Sequence, residues 1–96
     1  MYIILLSYKT DSSEVDRNLP GHNLYLQKNY KSGTFICSGP RIPRTGGVIL
    51  CNVPTEGEVL DIIKEDPFIV NGVADFELIN FRAADYADGF EKFLEN

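Results

Sequence analysis

Two rhythms of apolar positions alternate along this chain. Tyr2 to Tyr8, Thr34 to Ser38, Gly47 to Val53 and Asp75 to Arg82 are short runs rich in β-branched, aromatic or leucine residues, the composition of strands. Glu14 to Lys31 instead repeats Val15, Leu19, Leu26 and Tyr30 at intervals of four, seven and four, which lines one stripe of a helix. A second helix is predicted over Glu56 to Lys64, opened by Thr55 with Glu58 three residues on, the spacing of a capping box. Pro20 interrupts the first helix. Either a short turn near Asp16 precedes a main helix that starts at the proline, or one helix runs through with a bend. The order βαββαβ predicts an α+β, ferredoxin-like domain: one antiparallel sheet with both helices on one face.

A sheet with one wet face alternates apolar and polar residues. Tyr2-Ile3-Ile4-Leu5-Leu6 and Val48-Ile49-Leu50-Cys51 are apolar throughout. Both faces of these strands are therefore expected to be covered. Two helices cover only one, so a homodimer through the free sheet face is predicted. Ala84 to Leu94, with Tyr86, Phe90, Phe93 and Leu94, reads as a short C-terminal helix weakened by Gly89.

Composition narrows the partners. At 96 residues the chain is read as a single domain, 1–96, in which 84–96 is a C-terminal extension. A net charge of −5 argues against nucleic acid or an anionic membrane surface, which both need a basic face. No run is long enough to span a membrane, and the first residues lack the pattern of a secretory signal, so a cytoplasmic address is expected. Cys37 and Cys51 both fall in strand-like runs, without metal-ligand spacing. They read as reduced core thiols, and no metal is expected.

Chemistry is expected first at His22, the only histidine, because it lies on the apolar stripe three residues after Leu19 and four before Leu26. A titratable ring pointed at a sheet is costly unless it has a partner. Either reading of Pro20 sets it near a helix N-terminus or a kink. In Glu65-Asp66-Pro67-Phe68 the proline forces Asp66 out of helical geometry and makes it a natural N-cap for a turn starting at Pro67. Capping alone accounts for this aspartate; a stiffly held carboxylate also orients and charges an imidazole when it is close enough. The loop from Ser38 through Gly39, Arg41 and Arg44 to Gly47 is too long for a minimal hairpin. Its arginines are either solvated or an anion clamp, and Ser38 serves either turn chemistry or a ligand hydrogen bond.

Together His22-Asn23-Leu24-Tyr25-Leu26, Gly33-Thr34-Phe35, Ser38-Gly39-Pro40, Pro43-Arg44-Thr45-Gly46-Gly47 and Asp66-Pro67-Phe68 resemble the YCII (YciI-like) family, from Met1 to about Phe81. The resemblance implies a dimeric α+β barrel and an active-site pair matched here by His22 and Asp66, with Ser38 near them. One branch of the family is associated with dechlorination of a hydroxylated aromatic, and the superfamily includes muconolactone isomerases and cofactor-independent monooxygenases. The expectation is therefore an enzyme without a cofactor that performs acid–base chemistry on a small cyclic or aromatic acid. In it Ser38, Gly39, Arg41 and Arg44 hold the ligand. The alternative is a non-catalytic module that binds a small anion in the same pocket, and blander still is a purely structural partner protein.

Overall fold

The computed structural model describes residues 1–94. Four strands, β1 (Tyr2–Tyr8), β2 (Phe35–Pro40), β3 (Gly46–Cys51) and β4 (Ala74–Asn80), alternate with helices α1 (Ser12–Lys31), α2 (Glu56–Ile63) and the single turn α3 (Pro67–Val70). All pairings are antiparallel, in the order β2-β3-β1-β4 that the split βαβ arrangement requires. No helix among the described residues is long and apolar enough to cross a membrane.

Each helix starts where its capping chemistry is. The Asp11 carboxylate accepts from the Glu14 N–H at 3.1 Å and from the Ser13 hydroxyl, and the Ser13 bond first, then the Glu14 N–H, holds its pKa below the ordinary carboxylate value. Thr55 and Glu58 close the capping box expected of them. Of the two readings of Pro20, the continuous helix holds: α1 passes through it unbroken, so His22 lies mid-helix, away from the free donors of an N-terminus. Packing of the whole α1 face supplies what the missing proline N–H takes away.

Period-two alternation sends Tyr2, Ile4 and Leu6 of β1 and Ile49 and Cys51 of β3 to the helix side, where they form the core with Val15, Tyr25, Val59, Ile63 and Phe68. Ile3, Leu5, Leu50 and Ile79 alternate to the opposite face, which no helix covers, and Ile79 remains 47% exposed. A bulge in β2 changes this alternation locally. Register shifts between Phe35 and Cys37, so Phe35 pairs with Cys51 on the helix side while Cys37 pairs with Leu50 on the outer one. Cys37 is thus exposed, against the expectation that both thiols lie in the core; Cys51 does lie there, and the two are not bonded. The same shift turns Ser38, opposite Ile49, to the helix side. Of the helix expected over Ala84–Leu94, the chain forms one 3₁₀ turn, Phe90–Phe93, tied back when Asn52 Nδ2 donates to the Phe93 carbonyl at 2.7 Å. Glu95 and Asn96 of the extension lie outside the described residues.

Candidate functional site

Helix α1 can approach α3 closely because residue 21 is glycine: a Cβ there would sit 3.3 Å from Pro67 Cγ. That approach brings the next residue, His22, to Asp66. His22 Nδ1 and Asp66 Oδ1 are 2.8 Å apart, with the histidine 8% and the aspartate 2% exposed. The same Oδ1 accepts the Phe68 N–H at 2.9 Å, so Asp66 caps α3 and holds the imidazole at once. One oxygen of Asp66 thus meets both the α3 N-terminus and the imidazole. Phe68 contributes twice: its backbone fixes the carboxylate, and its ring stacks on the imidazole at 4.0 Å and 10°.

A carboxylate oxygen only accepts, so this pairing assigns a proton to Nδ1 and, in the neutral ring, leaves the lone pair on Nε2. Among the described residues Nε2 has no hydrogen-bond partner, and no buried side-chain nitrogen or oxygen goes unsatisfied. Nε2 is thus reached from outside, and what reaches it is a pocket of about 200 Å³. Leu6, Tyr8, Ile49 and Phe68 supply the apolar walls; Leu19, His22, Asn23 and Leu26 of α1 supply one side, and Ser38, Gly39, Pro40 and Arg44 close the other end.

The polar groups around this cavity are held by named partners. The Ser38 hydroxyl hydrogen-bonds the Tyr30 hydroxyl on α1. Arg44 Nη2 donates to Asp16 Oδ1 of α1 at 3.0 Å, with its guanidinium 5.9 Å from the centre of the Tyr8 ring. Arg41 turns away and donates to Ser7 Oγ at 3.3 Å, outside the pocket wall. Of the residues singled out in the sequence, His22, Ser38, Gly39 and Arg44 line the cavity and Asp66 stands behind His22; Arg41 does not join them.

Two nearby acids stay protonated. Tyr25 donates to the Ile62 carbonyl at 2.8 Å, and burial, then the charge of Asp66, pushes its phenol far above the usual range. Burial likewise raises the Cys51 thiol to about 11, which makes it a core side chain and not a nucleophile.

Sequence reasoning missed Asn23, Tyr8 and Asp16. Asn23 was legible in principle, since positions 19, 22, 23 and 26 form the i, i+3, i+4, i+7 stripe that faces one way from a helix. Asp16 carried no signal, because its partner Arg44 is 28 residues away.

Comparison with known proteins agrees with the fold. Among solved structures, the chain is similar to the 5-chloro-2-hydroxyhydroquinone dehydrochlorinase TftG from Burkholderia phenoliruptrix AC1100, a structure in complex with 2,5-dihydroxybenzoquinone. The two share 18% identity at a TM-score of 0.67, over 85% of this chain and 94% of that one, a likeness of fold. No curated protein matches the chain. Residues 1–82 match the YCII-related domain, so the chain belongs to the YCII family, the one its histidine, S-G-P, P-R-T-G-G and D-P-F motifs resemble.

Proposed function

We propose that this protein is a small-molecule enzyme that moves a proton on a cyclic or aromatic substrate bound beside His22, without a cofactor. The observation that carries the reading is the imidazole itself, anchored at Nδ1 by a buried carboxylate and open at Nε2 to a cavity of single-ring size. Neutral Nε2 takes a proton from the substrate. The imidazolium so formed keeps its Nδ1–H on Asp66, whose charge stabilises it, and returns the proton to another substrate atom or to a leaving group. Ser38 and Arg44 hold the substrate's oxygens, and the apolar walls hold its ring. That a protein of the same fold is a dehydrochlorinase, and was solved with a quinone bound, supports a ring substrate.

The assembly belongs to the same reading: a second copy covers the face of Ile3, Leu5, Leu50 and Ile79, which the helices leave open.

The test is turnover of a panel of chlorinated and hydroxylated one-ring compounds, including 5-chloro-2-hydroxyhydroquinone, followed by absorbance and chloride release. Wild-type protein is expected to convert at least one of them, and His22→Gln to do so about 10²- to 10⁴-fold more slowly. Equal rates in the two proteins, or ligand binding with no product across the panel, would leave the non-catalytic binding module as the correct description.

A further inference from the structure

We propose that Asp16 sets the charge specificity of this site: by neutralising Arg44 it directs the pocket toward uncharged and phenolic rings and away from carboxylates. The proposal rests on the one-ring pocket described above and concerns what that pocket accepts.

Its basis is the charge around the cavity. Two lining residues, His22 and Arg44, are able to carry positive charge. Each already has its own carboxylate placed outside the lining, Asp66 at 2.8 Å and Asp16 at 3.0 Å. The remaining polar lining side chains, Asn23, Ser38 and Tyr8, are neutral donors and acceptors. Arg41, the other cation of the same loop, faces Ser7 and stays out of the lining. Among the described residues each lining cation thus has a carboxylate of its own with which a ligand carboxylate must compete, and the chain's net charge of −5 disfavours an anion further.

Asp16 acts on Arg44 from outside the pocket, so it is a specificity and positioning residue. Its pair with Arg44 is solvent-exposed on both sides, at 45% and 63%, so it is modest in strength and exchangeable. Removing the aspartate leaves the guanidinium at the rim with a free fork of donors, the geometry that binds a carboxylate in two-point fashion.

The experiment is calorimetric binding of two isosteric rings, 2,5-dihydroxybenzamide and 2,5-dihydroxybenzoate, to wild-type protein, Asp16→Asn and Asp16→Ala. Wild type is expected to bind the amide more tightly than the carboxylate. Both variants should shift the ratio toward the carboxylate by about fivefold, the upper reach of an exposed ion pair, with the amide's affinity nearly unchanged. The shift should shrink in 1 M salt, which screens charge at that distance. A wild-type preference for the carboxylate, or a ratio indifferent to Asp16, overturns the charge assignment and leaves the catalytic reading standing. Failure of both rings to bind any of the three proteins overturns the one-ring pocket and the charge assignment with it.

Discussion

The Oδ1 atom of Asp66 serves two donors, the His22 imidazole and the Phe68 backbone N–H, and this sharing decides what substitutions there will do. In Asp66→Asn the Phe68 N–H turns the amide oxygen, and not the amide nitrogen, toward His22. Both hydrogen bonds and the ring's orientation survive while the charge is lost. Turnover is expected to fall about 10- to 100-fold, because the imidazolium loses its counter-charge, with a melting temperature close to wild type. Asp66→Ala removes the cap and the partner together and should cost about 2 kcal/mol in urea denaturation besides. Equal stability of the two variants would show that the cap contributes nothing. The sequence made His22 and Asp66 visible because each is locally odd, a polar ring on an apolar stripe and a carboxylate forced out of a helix by proline. It could not show their separation, because they lie 44 positions apart and meet through the packing of α1 against α3, which Gly21 eases.

Element by element, the four strands and the helices α1 and α2 followed from pattern, the helix expected over Ala84–Leu94 shrank to one 3₁₀ turn, and the other deviations came from backbone geometry that no periodicity encodes. The β2 bulge is the clearest instance. Strict alternation from Phe35 puts Cys37 in the core and Ser38 outside, and one extra residue reverses both, which is how Ser38 comes to face the pocket. Helix α1 running through Pro20 is another, since a local penalty yields there to the packing of a twenty-residue helix. Gly46 holds the edge of the site together. A Cβ there would fall 1.7 Å from the Leu6 carbonyl oxygen, a backbone atom that cannot move without parting β1 from β3. Gly46→Ala is expected to destabilise by about 3 kcal/mol in urea denaturation. The capping-box change Thr55→Ala, remote from the pocket, should cost about 1 kcal/mol and leave ligand binding intact. A Gly46→Ala protein as stable as Thr55→Ala would mean that the β1–β3 contact is looser than its geometry requires.

For the whole molecule, the two faces of one sheet differ in what covers them. The helices α1, α2 and α3 pack on one face; the other presents a cross-strand row of Cys37, Leu50, Ile3 and Ile79, flanked by Leu5. Soluble monomers rarely expose a contiguous apolar face of this kind, which supports the proposal that a second copy covers it. Leu50→Lys puts a charge at the centre of that row and is expected to convert a dimer into a monomer in multi-angle light scattering while the fold, read by circular dichroism, is kept. A wild-type monomer would contradict the assignment. This apolar doubling was plain in the sequence, because Tyr2 to Leu6 never alternates. The covering partner is not written in the same residues, since a chain shows which surface is apolar and not what meets it.

In the proposed reading His22 presents a free Nε2 to the pocket because Asp66 fixes the proton on Nδ1. With only one histidine in the chain, a long-range proton–nitrogen NMR spectrum of the tag-free protein reads this tautomer without assignment ambiguity. In the neutral form of the ring the proton is expected at Nδ1, with the unprotonated nitrogen signal at Nε2, and this preference is expected to be lost in Asp66→Ala. A neutral ring protonated at Nε2 in the wild-type protein would contradict it, since the nitrogen facing the pocket would then have no lone pair with which to take a proton.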